Sequence, residues 1–79
     1  MYAIHLVDIP KAGNYSRRVT MVVSFNLAEL LATCVIQRLL NSIDVQLKLE
    51  NDNVYDVYAD KKFVGYCVIN DITKEAWFN

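Results

Sequence analysis

Residues Ser24–Ser42, SFNLAELLATCVIQRLLNS, decide the fold that we expect, because they carry the most legible helical pattern in the chain. Asn26 is a favoured N-cap residue, and Glu29 can return a hydrogen bond to the Asn26 backbone N–H. Phe25 and Leu30 occupy the two positions of a hydrophobic staple. The segment is therefore predicted to form a long helix with Asn26 as its N-cap.

This predicted helix is apolar on more than one side. The large apolar side chains form a core stripe, made of Leu27, Leu31, Cys34, Val35 and Leu39. The opposing stripe is polar, made of Glu29, Thr33 and Gln37. Ile36 and Leu40 fit neither stripe, so we expect them to point away from the sheet, where they are either exposed as a contact site or covered by a C-terminal tail that carries Trp77 and Phe78. Ile36, Leu40 and Trp77 are the candidate oligomer contacts.

Alternation of apolar and polar residues predicts strands on both sides of the helix. The predicted strands cover residues 2–9, 18–25, 44–50, 54–59 and 63–69. Turn residues separate them, including Gly13-Asn14, Asn51-Asp52-Asn53 and Asp60-Lys61-Lys62. Residues 71–78 are compatible with one closing helical turn. The order ββαβββ predicts an α+β fold in which one long helix packs on one face of an antiparallel sheet of about five strands.

Length and composition favour one small folded domain over residues 1–79. The chain is 54% hydrophobic and 22% charged, which is too apolar for disorder. No apolar run approaches the roughly 18 residues that a membrane span needs. The N-terminal segment MYAIHLVDIP lacks the basic start and cleavage site of a secretory signal. We therefore expect a cytoplasmic protein that does not contact membrane.

The two cysteines are Cys34 in the predicted helix and Cys67 in a predicted strand. Their apolar neighbours and the absence of an export signal favour two buried free thiols, with a disulfide as the alternative. Their separation is not that of a metal site.

Chemical motifs are lacking. His5 is the only histidine, and no nucleophile or carboxylate is placed beside it by sequence. Gly13 and Gly65 are the only glycines, so a glycine-rich phosphate loop is absent. The aspartates of the C-terminal half lack the spacing of a calcium loop. The sequence predicts neither an enzyme nor a cofactor or metal site.

The C-terminal hairpin gathers tyrosines and acids, which suit a protein-binding surface because tyrosine provides a large contact area and a hydroxyl. The predicted partner-binding residues are Tyr55, Tyr58, Tyr66, Asp52, Asp56 and Asp60. The simpler interpretation is that tyrosine favours strands wherever they lie. A sharper one is that the acids imitate phosphate, although a net charge of −1 is small for such mimicry.

Direct nucleic-acid binding is the alternative that depends on cations. It would use Arg17 and Arg18, with Lys11, Lys61 and Lys62 in support. Scattered cations support only weak, salt-sensitive contacts, and the tyrosines lie beside acids instead of basic residues.

The hairpin sequence Val54–Ile69, VYDVYADKKFVGYCVI, completes a small chain with ββαβββ order. In size and layout it resembles the small phage- or mobile-element-encoded inhibitors of host defence, such as anti-CRISPR proteins. That resemblance implies a protein that occupies a surface of a larger host complex in the host cytoplasm. We therefore predict a non-catalytic interaction domain that acts as a stoichiometric inhibitor, with a nucleic-acid-binding protein and a homo-oligomeric accessory protein as alternatives.

Overall fold

A computed structural model describes residues 1–19 and 24–72. Its elements are β1 (Tyr2–Val7), β2 (Ser16–Val19), α1 (Phe25–Leu40), β3 (Val45–Asn51), β4 (Val54–Ala59) and β5 (Lys62–Asp71). The predicted α+β fold, with five antiparallel strands and one long helix, is confirmed. Residues 20–23 of the predicted strand 18–25 lie outside the described residues, as do residues 73–78 of the predicted helical turn, including Trp77. The end of that predicted strand is wrong, because Ser24 caps the helix and Phe25 is its first residue.

The sheet order is β2-β1-β5-β4-β3, and all neighbouring strands are antiparallel. The last strand in sequence, β5, thus lies in the centre between β1 and β4. Strands β2 and β3 form the two edges. This arrangement brings the N-terminal strand next to the C-terminal hairpin.

The helix begins two residues earlier than the sequence predicts. Its N-cap is Ser24, which has an extended backbone (φ −139°, ψ 153°) and accepts a hydrogen bond from the Leu27 N–H at 3.3 Å. Asn26 therefore lies inside the helix, and the predicted Asn26 cap is wrong. Glu29 instead accepts a hydrogen bond from the Tyr55 hydroxyl at 2.9 Å. At the other end, Asn41 adopts the left-handed conformation and closes the helix.

The helix faces the sheet with its small residues. Ala28, Ala32 and Ile36 are each 0% exposed, whereas Leu27 is 47% exposed. The predicted orientation of Ile36, away from the sheet, is therefore wrong, and Ile36 is removed as an oligomer contact. The sequence analysis placed the core stripe on the large side chains. In the structure the alanines face the sheet instead, because their small side chains allow the helix backbone to approach it closely.

The helix residues beside this buried stripe are half-buried. Leu40 packs against the core cluster, so it too is not the freely exposed residue that the pattern predicts. Cys34, predicted as a core residue, is exposed on the outer side of the helix. The helix is thus rotated relative to the orientation expected from hydrophobic size alone.

The core lies between α1 and one face of the sheet. The buried strand residues on this face are Ile4, Leu6, Val19, Val45, Tyr55, Val57, Ala59, Cys67 and Ile69. Tyr55 stacks on Phe25 with ring centres 6.1 Å apart, which ties β4 to the first turn of the helix. Only one helix is present in the described residues, and it packs on this face and not on the opposite one.

Candidate protein-binding surface

The sheet face opposite the helix carries every second residue of the central strands. Strand register places Val7 beside Tyr66, Asp56 beside Tyr66, and Val54 beside Val68. We call this surface the open face and define it by Val7, Val54, Asp56, Tyr58, Phe63, Tyr66 and Val68. Its residues range from half-buried to half-exposed, with Val7 at 42% and Phe63 at 50% exposure.

Three aromatic rings form a cluster on the open face. Phe63 lies in the middle, with its ring centre 5.9 Å from that of Tyr58 and 5.2 Å from that of Tyr66. Both contacts are edge-to-face, at 72° and 70°. Such geometry contributes favourable energy beyond simple burial and holds the rings in fixed orientations.

A β-bulge assembles this aromatic cluster. In a regular strand, residues 63 and 66 would point to opposite faces. The register shift that follows Val57 puts Tyr58 opposite Phe63 while Val57 lies opposite Gly65, so β5 carries one extra residue at this point. Sequence reasoning missed Phe63 because simple alternation assigns it to the wrong face.

The three predicted tyrosines separate into two groups. Tyr58 and Tyr66 lie on the open face, as a partner surface would require. Tyr55 lies on the helix side, is 3% exposed, and donates its hydroxyl to Glu29. Desolvation by burial and then the Glu29 carboxylate raise the Tyr55 pKa well above its usual value. Tyr55 is therefore a core residue, and its predicted role as a partner anchor is wrong.

The three predicted aspartates are also not equivalent. Asp52 and Asp60 sit in the two hairpin turns with positive φ, at 34° and 51°. The Asp60 carboxylate accepts a hydrogen bond from the Ser42 hydroxyl at 2.9 Å, which connects its turn to the end of the helix. Asp56 adjoins the aromatic cluster, opposite Tyr66. Of the three predicted aspartates, it alone belongs to the open face.

Edge strand β3 adds two charges beside the aromatic cluster that the sequence analysis did not select. Lys48 is the register partner of Asp56, and its Nζ lies 4.9 Å from the centre of the Tyr58 ring. Glu50 approaches Asp56, and the hydrogen bond to Asp56, followed by the Asp56 charge, raises the Glu50 pKa. Two carboxyl groups therefore lie together at the margin of the open face.

A shallow depression of about 400 Å³ adjoins these carboxyl groups. Its walls are mainly apolar, and they are formed by Val7, Val54, Tyr66, Val68, Glu50 and Asn51. It spans strands β1, β5, β4 and β3. Since these strands are distant in sequence, the depression exists only in the folded chain.

The two arginines that would serve nucleic-acid binding point away from each other. Arg17 pairs with Ile4 on the helix side of the sheet, and Arg18 pairs with Ala3 on the other side. Both are exposed on edge strand β2. Although Arg17 and Arg18 are adjacent in sequence, they do not form one basic patch on the surface.

Reactive groups are scattered over the molecule. Cys34 is exposed and Cys67 is buried, and both are free thiols, so the predicted free state is right and the predicted burial of Cys34 is wrong. Burial raises the pKa of Cys67 to about 12. His5 is half-buried in β1, opposite Ser16 and Val68. Over residues 1–19 and 24–72, no three His, Cys, Asp or Glu side chains are grouped so as to hold a metal ion.

The outer side of the helix presents a second apolar patch. Leu27 and Leu30 are 47% and 58% exposed, and Cys34 is exposed one turn beyond Leu30. No helix in the described part of the chain has the length and apolar character to cross a membrane.

Comparison of the chain with protein-family models, curated proteins and solved structures found no match.

Proposed function

We propose that this chain is a non-catalytic protein-interaction domain whose contact surface is the open face. The observation that supports the proposal is the partly exposed aromatic cluster of Tyr58, Phe63 and Tyr66 on the side of the sheet opposite the helix, in which Phe63 is 50% exposed. Aromatic side chains dominate binding energy at protein interfaces, because they bury large area with little loss of rotamer freedom. Paired strands hold these three rings in place before any partner arrives, which reduces the entropy that binding costs.

The charges around the aromatic cluster favour a protein partner over nucleic acid. Asp56 and Glu50 adjoin the rings, and carboxylates repel phosphate. A sheet that stacks nucleic-acid bases needs cations along the path of the backbone. Arg17 and Arg18 lie on opposite faces of β2 and do not provide that path.

We further propose that binding is stoichiometric and inhibitory, directed at a larger complex of host defence or of nucleic-acid handling in the cytoplasm. An inhibitor that acts by covering a surface needs affinity and shape, and it needs no reaction chemistry. A rigid aromatic face on a chain of 79 residues suits that mode of action.

The test begins with capture of a partner from lysate of the native or host cell, with and without nuclease, followed by mass spectrometry. The affinity of the purified partner is then measured by calorimetry for the wild-type chain and for Phe63→Ala and Tyr58→Ala. We expect each substitution to weaken binding by about 1–4 kcal/mol, because it removes a ring of the cluster. Leu30→Ala on the helix is the matched control, since it also truncates an exposed apolar side chain.

Circular dichroism must show that both aromatic variants remain folded. Unchanged affinity in folded Phe63→Ala and Tyr58→Ala would remove the open face as the contact surface. Loss of all captured material on nuclease treatment would instead favour nucleic-acid binding, with a steep salt dependence as its signature.

A homo-oligomeric accessory role is the second candidate, and the exposed patch of Leu27, Leu30 and Cys34 is the observation that favours it. Sedimentation equilibrium of the purified chain distinguishes the two roles. A mass that rises with concentration supports self-association, and a constant monomer mass excludes it.

A further inference from the structure

We propose that the open face binds an arginine side chain of the partner protein, with the arginine stem in the depression beside Tyr66 and its guanidinium on Glu50 and Asp56. This inference rests on the proposed function and specifies the chemistry of the partner at that surface.

The walls of the depression fit the stem of an arginine. Val7, Val54 and Val68 supply aliphatic contacts, and Tyr66 supplies a ring. Long basic side chains bury their methylene groups along such apolar surface while the charged end remains in a polar setting. Glu50 lines the same depression and provides that polar end.

The two carboxyl groups supply the complementary charge. Asp56 is the register partner of Tyr66, which lines the depression, and Glu50 approaches Asp56 from β3. Glu50 lies two residues beyond Lys48, the register partner of Asp56, and the hydrogen bond to Asp56 raises the Glu50 pKa. Glu50 thus lies beside a like charge. A guanidinium between the two carboxylates would replace this repulsion by two attractions.

One lysine, Lys48, lies on the strand beside Asp56. Lys48 is opposite Asp56 in register, yet its ammonium lies over the Tyr58 ring. A cation from the partner can therefore approach Glu50 and Asp56 from the side of the depression.

The geometry favours arginine over lysine. The guanidinium is planar, it presents N–H donors in a fork that matches carboxylates, and it stacks on aromatic rings. A face with two adjacent carboxyl groups and one neighbouring ring offers partners for each of these properties. The lysine ammonium is a compact, strongly hydrated charge. It would gain the charge attraction to the carboxylates, but neither the forked hydrogen bonds nor the stacking on the ring.

The test is an NMR titration of the full chain with a matched pair of peptides. One is acetyl-Leu-Arg-Leu-amide, and the other carries citrulline, which has nearly the same shape without the charge. We expect the arginine peptide to shift the backbone amides of Val7, Val54, Tyr66 and Val68. Its apparent Kd should be about three- to fivefold lower than that of the citrulline peptide, as exposed ion pairs allow.

Paired variants locate the effect. Glu50→Gln/Asp56→Asn should abolish the preference for arginine, because both carboxylates are removed. The matched control is Asp44→Asn/Asp60→Asn, which changes the net charge equally at the other end of the β3–β4 pair, where Val45 faces Ala59. The control should keep the preference.

Two results would overturn the inference: equal affinity for the two peptides, or shifts that map outside the depression. Neither result bears on the aromatic cluster, which is tested separately by Phe63→Ala with the captured partner. A partner that depends on Phe63 but binds Glu50→Gln/Asp56→Asn with unchanged affinity would leave the interaction face in place and exclude the arginine contact.

Discussion

At the scale of single residues, Gly65 is the glycine whose position leaves no room for a side chain. Its φ is 154°, and a Cβ there would lie 2.6 Å from the Val7 carbonyl oxygen and 2.9 Å from the Asp8 carbonyl carbon. Both neighbours are backbone atoms of the segment that leaves β1, so they cannot move aside as a flexible side chain would. The absence of a side chain at Gly65 therefore allows β5 and β1 to pair closely beside the bulge that positions Phe63.

Gly65→Ala should lower the free energy of unfolding by about 2–4 kcal/mol, because it introduces both a steric overlap and a strained backbone. Urea denaturation measures the loss. Gly13→Ala is the control, since Gly13 also has a positive φ of 57° but no atom within 4 Å of its added Cβ. The control should cost only about 1 kcal/mol. Equal losses at the two positions would show that the overlap at Gly65 has no energetic effect.

At the scale of elements, the turn between β4 and β5 connects the two strands that carry Tyr58, Phe63 and Tyr66. Asp60 and Lys61 both have positive φ, at 51° and 67°, as in a two-residue type I′ turn. Asp60 is tied in place because its N–H donates to the Asp44 carbonyl at 2.9 Å and its carboxylate accepts from Ser42. Lys61 has no such role in this turn, and its side chain makes the left-handed conformation unfavourable.

Lys61→Gly should therefore raise the free energy of unfolding by about 0.5–1 kcal/mol, because glycine adopts positive φ without steric cost. Thermal and urea unfolding both report the change. Lys62→Gly provides the comparison, since Lys62 lies in β5, where glycine weakens a strand. A Lys61→Gly variant that is no more stable than the wild-type chain would contradict this account of the turn.

At the scale of the whole molecule, packing of the helix on the sheet buries Cys67 and raises its pKa from 9.0 to about 12. The unfolded chain then loses the thiol proton at lower pH than the folded chain. Above pH 9 the unfolded state binds fewer protons, so stability falls as the pH rises toward 12. The raised pKa of Tyr55 acts in the same direction from its usual value upward.

We expect the ionisation of Cys67 to have no effect on the free energy of unfolding below pH 9. Above pH 9, it should make the free energy of unfolding fall as the pH rises. Cys67→Ala should be less stable at neutral pH because it leaves a cavity, yet its decline with pH should be shallower. Cys34→Ala should keep the wild-type slope, since Cys34 is exposed. Denaturation curves between pH 8 and pH 12 give the slopes, and parallel slopes for all three chains would be the contrary result.

Much of the fold follows from the sequence because it depends on neighbouring residues. Tyr2, Ile4 and Leu6 alternate with Ala3, His5 and Val7, and they point to opposite faces of β1 as predicted. The turn residues at 51–53 and 60–62 separate β3, β4 and β5 close to the expected boundaries. Local patterns of this kind fix the conformation of a segment, whatever it later packs against.

The features that make up the candidate site depend on contacts between distant segments, so only the tertiary structure decided them. Ala28 and Ala32 face the sheet because close packing favours small side chains there, and this choice buries Ile36 and Tyr55. Sequence alternation did place Tyr58 and Tyr66 in a candidate surface, and that part of the site stays a prediction.

Phe63 joins Tyr66 through a bulge whose register is set between strands, and Glu50 meets Asp56 across another irregularity in β3. A sequence pattern reports which residues can share a face. The pairing of strands and the approach of the helix determine which face is covered, because those energies arise from residues far apart in the chain.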